Sequence, residues 1–106
     1  MGESPTSRGA FLALLALHDG PKHGYEIAAH IKERSEGHFS LSFGALYPVL
    51  HKLEAEKLIA GSWREAGEAK KKKVYGLTAA GKRALGTERE RYEANALAFA
   101  KLLGAK

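Results

Sequence analysis

The stretch 42-SFGALYPVLHKLEAEKL-58 carries the clearest structural signal in the chain. Its apolar side chains recur at the three- and four-residue spacing of one helical face. These residues are Leu46, Val49, Leu50 and Leu53. Ser42 precedes them and is a preferred residue type for capping a helix N-terminus, while Pro48 lies about one turn inside, where a helix tolerates proline with a bend. The stretch therefore predicts an amphipathic helix with a buried apolar stripe.

The opposite face of this predicted helix is small or polar near its start. Its outward positions are Gly44, Ala45, Tyr47, Pro48, His51 and Lys52. Small side chains let a helix lie deep in a groove, and the major groove of B-DNA, about 12 Å wide, admits one α-helix. Tyr47 could donate a hydrogen bond to a phosphate, although a half-buried aromatic at the rim of the core is an equal alternative. Since no Arg, Asn or Gln points clearly at a base edge, the sequence does not predict which bases are read.

Two shorter helical patterns precede this one. A dense apolar segment that includes Phe11 and Leu14 predicts a mostly buried helix over about residues 6 to 18, ended by the turn residues that follow it. Ile27 and Ile31 share one face of a second helix, over about residues 23 to 35. Between the second and third helices, Phe39 and Leu41 are expected to form a small strand edge.

After Leu58 the apolar period changes from helical to alternating. Ile59, Gly61 and Trp63 alternate with other residues, and strand formers return from Val74 to Leu77, with Gly67 between the two segments. This pattern predicts a β-hairpin. Thr78 then caps a fourth helix that begins at Ala79. Glycines at 81 and 86 weaken that helix, and the Thr-x-x-Glu pattern from 87 to 90 predicts a kink or restart near residues 86–87.

The order helix, helix, helix, hairpin, helix predicts a mainly α fold with a small β-hairpin, the winged helix-turn-helix, followed by a C-terminal helix. We expect the winged domain to span residues 6–78 and a dimerisation helix to span residues 79–106. The apolar residues of that last helix predict a dimer seam: Tyr92, Ala96, Phe99, Leu102 and Leu103. The alternative is that this stripe folds back on the core of its own chain.

The positive charge of the chain is local. Of a net charge of +5 over 106 residues, all comes from the segment between Arg64 and Arg83, which holds seven basic and two acidic side chains. Its centre is the run Lys70, Lys71, Lys72 and Lys73. A localised charge of this kind favours contact with a polyanion, although a run that only solvates a loop is an alternative.

Composition narrows the function further. The chain lacks cysteine, and no apolar run approaches the ~18 residues that a membrane span requires. With no nucleophile motif, phosphate loop or paired-carboxylate cluster, we expect no enzyme. The five histidines lack the spacing of a metal site, so we expect no catalytic residue, metal or cofactor. A cytoplasmic location is the expectation from these features.

Three blocks together resemble the PadR-type winged-helix transcriptional regulators: 22-KHGYEIAAHIKERS-35, 44-GALYPVLHKLEAEKLIAGSW-63 and 77-LTAAGKRAL-85. The resemblance covers about residues 8 to 86. It implies DNA contacts from the start of the second helix, from the third helix and from the hairpin. By position, these contacts would come from His23, Tyr25, Ser42, Gly44, Ala45, Tyr47, His51, Lys70, Lys71, Lys72 and Lys73. Packing of Tyr25 against the third helix is an equal alternative to its DNA contact.

The same resemblance implies a homodimeric repressor that binds double-stranded DNA at a palindromic operator. Some members of the family release DNA when a small aromatic molecule binds, which implies such an effector as a partner, beside Tyr92, Ala96 and Phe99. The alternative function is a winged-helix module that binds proteins and has no DNA sequence preference. Where the family often has proline after the serine that opens the third helix, this chain has Phe43.

Overall fold

A computed structural model describes residues 7–65, 67 and 71–104. Helix α1 (Arg8–Leu17) begins where the Ser7 hydroxyl accepts a hydrogen bond from the Ala10 N–H at 3.1 Å. It is the central helix, because Ala13 and Leu14 are fully buried and other helices pack on several of its sides. The predicted first helix is confirmed over the residues that the structure describes.

Helix α2 (Gly24–Arg34) is capped reciprocally. The His23 ring nitrogen Nδ1 accepts from the Glu26 N–H at 3.3 Å, and the Glu26 carboxylate accepts from the His23 N–H at 3.1 Å. This arrangement satisfies two backbone donors, as a capping box does, with histidine in place of the usual serine or threonine. Ile27 and Ile31 are buried on the inner face, as their spacing predicted.

Helix α3 (Phe43–Ala55) follows the predicted pattern closely. The Ser42 hydroxyl accepts from the Ala45 N–H at 3.2 Å. Leu46, Leu50 and Leu53 are buried, and Val49 is partly buried against the core. Pro48 lies inside the helix, which continues through it.

The sheet has three strands, β1 (Lys22–His23), β2 (Ile59–Glu65) and β3 (Lys71–Leu77). They are antiparallel in the order β1-β3-β2, and β2 and β3 form the predicted hairpin, called the wing below. The strand edge expected at Phe39 and Leu41 is wrong. The free edge of β3 is taken by β1, next to the start of α2, while Phe39 and Leu41 pack their apolar side chains against the core.

Helix α4 (Ala79–Leu102) runs without interruption for 24 residues, so it does not restart at residues 86–87. Thr78 ties its start to the turn after α3: the hydroxyl accepts from the Gly81 N–H at 3.0 Å and donates to the Lys57 carbonyl at 2.8 Å. Leu85 and Glu88 are buried, whereas residues 89–99 are exposed. The first half of α4 therefore packs on the winged domain, the Tyr92 ring still contacts Phe11 of α1, and the helix beyond Tyr92 extends from the domain.

None of the helices within the described residues combines the length and apolarity that crossing a membrane requires.

Candidate nucleic-acid interface

The outward face of α3 is open along its length. All six residues predicted to point outward are exposed, from Gly44 to Lys52. Tyr47 keeps 43% of its surface accessible. Its ring packs against neighbouring residues while much of it stays at the surface, so this position is compatible with both predicted roles, a phosphate donor and an aromatic at the rim of the core. Gly44 and Ala45 leave the start of this face nearly flat, which permits close approach of a groove.

A row of aromatic rings links the start of α2 to α3. Successive ring centroids are separated by 6.4 Å from His23 to Tyr25, 5.9 Å from Tyr25 to Phe43, 5.7 Å from Phe43 to Tyr47 and 6.2 Å from Tyr47 to His51. These separations fall within the range of favourable tilted aromatic pairs. Tyr25 thus packs against Phe43 and still exposes 67% of its surface.

Tyr47 leans over the first residue of α2. A Cβ atom at Gly24 would lie 3.4 Å from the Tyr47 hydroxyl oxygen, so the tyrosine fits against a position without a side chain. The Tyr47 hydroxyl is therefore placed beside the start of α2. A phenol at this position can donate a hydrogen bond to a phosphate oxygen.

The lysines of the wing have different environments. Lys71 and Lys72 are exposed, whereas Lys73 is half-buried and its Nζ lies 3.0 Å from the Glu54 carboxylate on α3. The hydrogen bond with Glu54 raises the pKa of Lys73, so the ammonium stays charged. Lys70 lies outside the described residues. The run is thus not uniform, since Lys73 already has an anionic partner within the chain.

A cleft of about 390 Å³ separates α3 from the wing. Its walls are mostly aromatic and basic, and they are formed by His23, Gly24, Tyr25, Phe43, Tyr47, His51, Trp63, Lys71, Lys72, Lys73 and Tyr75. No acidic residue is among these lining residues, all of which belong to the described part of the chain. Hydrogen-bond donors and cations on an aromatic surface suit an anionic polymer backbone.

The structure brings most of the predicted site residues to this cleft. His23, Tyr25, Tyr47, His51 and the three described lysines line it, while Ser42, Gly44 and Ala45 lie on the exposed start of α3. Phe43 and Trp63 also line the cleft but were not among the predicted site residues. The four-residue spacing of Phe43, Tyr47 and His51 was a usable signal, because such positions share one helical face.

The fold and this cleft define the class: a winged helix-turn-helix protein with an exposed third helix and a basic wing. The model of the "Transcriptional regulator PadR-like family" matches residues 12–87. The chain belongs to this family of transcriptional regulators, which confirms the resemblance. Its winged-helix fold is that of the family.

Solved structures agree with this assignment. A PadR family transcription regulator from Clostridium difficile R20291 is 25% identical, with a TM-score of 0.80 over 92% of this chain and 100% of that chain. Bacillus subtilis PadR, solved in complex with operator DNA, is 31% identical, with a TM-score of 0.72 over 78% of this chain and 47% of that chain.

Among curated sequences, an uncharacterised 37.1 kDa protein in a transposon of Streptomyces fradiae is 42% identical over 85 residues, which cover 80% of this chain. A protein of Lysinibacillus sphaericus, named only as protein X, is 31% identical over 58% of this chain. This chain spans 22% of the length of the first relative and 56% of the length of the second.

Proposed function

We propose that this protein is a sequence-specific DNA-binding repressor that binds a palindromic operator as a homodimer. The observation that carries the proposal is the exposed face of α3 beside an aromatic and basic cleft whose described lining contains no acidic residue. The similarity to Bacillus subtilis PadR, whose structure was solved with operator DNA, supports the same direction.

DNA affinity and DNA sequence choice are assigned to different residues. Gly44, Ala45 and His51 lie on the exposed face of α3 and would meet base edges in the major groove. The residues assigned to the sugar-phosphate backbone are His23, Tyr25, Ser42, Tyr47, Lys70, Lys71 and Lys72. Backbone contacts position a protein without carrying sequence information, so sequence choice is assigned to α3.

The homodimer is proposed from the apolar end of α4. Phe99, Leu102 and Leu103 expose 62%, 82% and 84% of their surfaces. A contiguous exposed apolar face of this kind marks an interaction site. A second copy of the chain is the occupant that the proposal assigns, because a two-fold pair would place two α3 helices about 34–36 Å apart, one turn of DNA.

The proposal also assigns a site for a small aromatic effector at the dimer seam, beside Tyr92, Ala96 and Phe99. The Tyr92 ring stacks on Phe11 of α1, with centroids 4.2 Å apart and planes 6° from parallel. A planar ligand that displaced this ring would change the packing of α4 on α1 and with it the spacing of the two α3 helices. Such a ligand should raise the dissociation constant of the DNA complex, and unchanged DNA affinity across a panel of planar aromatic compounds would remove this part of the proposal.

The salt dependence of DNA binding tests the main proposal. A dimer that contacts on the order of 6–10 phosphates should lose ~10³–10⁵ in affinity between 50 and 200 mM salt. Changing Lys71 and Lys72 together to alanine should weaken binding to every duplex. It should also reduce the slope of log affinity against log salt by ~0.9 for each phosphate that the variant no longer neutralises.

The matched control is Lys82→Ala. Lys82 belongs to the same basic segment but is exposed beside a separate groove that His18 and Arg89 also line. This variant should keep the parent slope. If the Lys71 and Lys72 variant also kept the parent slope, the wing would not contact phosphates. Salt-insensitive binding to a protein, without preference among duplexes, would instead indicate a protein-interaction module.

A further inference from the structure

Lys73 differs from Lys72 in direction as well as in exposure. Side chains alternate between the two faces of a strand, so Lys73 shares a face of β3 with Tyr75, and Lys72 lies on the other face. The pairing of the wing sets Trp63 opposite Lys73. From this inner face the Lys73 ammonium meets the Glu54 carboxylate at 3.0 Å, with 27% and 31% of the two side chains exposed.

The path of the Lys73 side chain is fixed by the wing itself. Its Nζ lies 5.4 Å from the centre of the Tyr75 ring and 6.0 Å from the centre of the Trp63 ring. Gly61, across the strand pair, leaves the space that the lysine stem occupies: a Cβ atom there would lie 2.5 Å from Lys73 Cε and 3.2 Å from Lys73 Cγ. The stem therefore runs across the wing toward α3 rather than out into solvent.

The Glu54–Lys73 ion pair joins two elements that otherwise meet near the base of the wing. Among the described residues it is the only ion pair that connects α3 to the wing. In the outer half of β2, from Ser62 to Glu65, the side chains are exposed, so little apolar packing holds that half. Strand β1 pairs only with Val74 and Tyr75, so beyond these residues the wing is a two-stranded ribbon. Such a ribbon is marginally stable alone, and a contact with α3 would stabilise its angle to that helix.

A phosphate contact from Lys73 would remove this connection. The ammonium would have to leave Glu54, and the carboxylate would then stand beside the DNA backbone without its partner. Lys71 and Lys72 have no ion pair within the described residues and can meet phosphates without such a loss.

We infer that Lys73 and Glu54 are positioning residues, which hold the wing at a fixed angle to α3 and leave phosphate contact to the other lysines. The inference rests on the proposed DNA-binding function and deepens it. A fixed angle aligns the phosphates under the wing with the bases under α3. Loss of the ion pair should therefore reduce discrimination between DNA sequences more than it reduces binding to DNA of any sequence.

The test compares Glu54→Met, Lys73→Met and the double variant with Lys72→Met as the matched control. Methionine keeps an unbranched side chain of similar length without charge. Binding is measured to a duplex selected by the parent protein and to a random duplex, each over a range of salt. Circular dichroism of each variant first establishes that its helical content equals that of the parent.

Lys72→Met should lower the salt slope on both duplexes by ~0.9 for each phosphate left without its lysine, and it should keep the ratio of selected to random affinity. Lys73→Met should keep the slope on random DNA and lower that ratio about tenfold, roughly the discrimination of one base pair. Glu54→Met should lower the ratio equally, and the double variant should match either single one. A slope that falls in Lys73→Met as in Lys72→Met, or an unchanged ratio in Glu54→Met, would overturn the inference.

A second readout needs no DNA. Trp63 is the only tryptophan of the chain, and its fluorescence anisotropy decay reports motion of the wing. Glu54→Met should increase Trp63 motion, while Lys72→Met should not. If the parent shows no preference among duplexes, the proposed function fails, and this readout still decides the inference: unchanged Trp63 motion in Glu54→Met contradicts it.

Discussion

At the scale of single residues, two glycines of α4 have opposite surroundings. A Cβ atom at Gly81 would overlap the backbone carbonyl oxygen of Leu58, so α4 can pack against the turn between α3 and β2 only where a side chain is absent. At Gly86 a Cβ atom would meet nothing within 4 Å, and the position is exposed. Helix propensity treats the two alike. Their difference arises from tertiary contact and could not be predicted from the sequence.

These surroundings predict opposite effects of the same substitution. Gly81→Ala should destabilise the protein by about 1–3 kcal/mol, because the backbone of Leu58 cannot move aside as a flexible side chain could. Gly86→Ala should stabilise it by about 0.5–1 kcal/mol through helix propensity. Urea denaturation of the two variants measures both values. Equal effects at the two positions would contradict the close packing of α4 against the backbone of Leu58, in the turn after α3.

At the scale of elements, the contact between the wing and α3 makes stability depend on alkaline pH. The hydrogen bond with Glu54 raises the pKa of Lys73 above its ordinary value of 10.5, and burial raises the pKa of Tyr75 above its ordinary value of 10.0. Both groups hold their protons more tightly in the folded state than in the unfolded state. Their contribution is therefore fully present below about pH 10 and is lost as the pH rises above it.

The contribution of Lys73 and Tyr75 to the free energy of unfolding should accordingly be constant below about pH 9 and should fall as the pH rises above about 10. Urea denaturation at fixed ionic strength over this range measures the fall. Lys73→Met should make the fall shallower, since only the tyrosine contribution remains. A stability that rises above pH 10 would show that Lys73 and Tyr75 do not hold their protons more tightly in the folded state.

The elements themselves differ in how far the sequence predicts them. The stripe of Leu46, Leu50 and Leu53 predicted α3 and its exposed face, because apolar residues at this spacing over about two helical turns give a clear period. Strand β1 has only two residues, too few to show any period, so it was missed. The Glu54–Lys73 ion pair was also missed, since it joins residues 19 positions apart whose approach depends on the wing angle.

At the scale of the whole molecule, the far half of α4 makes the chain elongated. The molecule measures 56 × 31 × 23 Å. Among the large apolar residues that the structure describes, Leu102 and Leu103 are the most exposed, at 82% and 84%. Each buried leucine contributes about 1.5–3 kcal/mol relative to exposure to water. A partner helix over this end would therefore stabilise an assembly substantially.

The dimer proposal predicts the effect of making this end polar. The parent chain should sediment as a dimer. The variant with Leu102→Ser and Leu103→Ser should dissociate at least ~100-fold more readily, since losing even about 3 kcal/mol of apolar burial changes an equilibrium by that factor. Glu90→Ser, at an exposed polar position of the same helix, is the matched control and should remain a dimer. Sedimentation equilibrium measures all three. A monomeric parent would refute the seam.

The central claim is that α3 chooses the DNA sequence and that a two-fold pair of chains sets the spacing of the half-sites. Selection of DNA sites from a random pool tests this claim most directly. The parent protein should enrich two inverted half-sites with centres about 10–10.5 base pairs apart. His51→Ala should change the enriched sequence, whereas the Lys71 and Lys72 alanine variant should enrich the same sequence with lower affinity. A pool that stays random with the parent protein, or a His51→Ala variant that enriches the parent sequence unchanged, would contradict the claim.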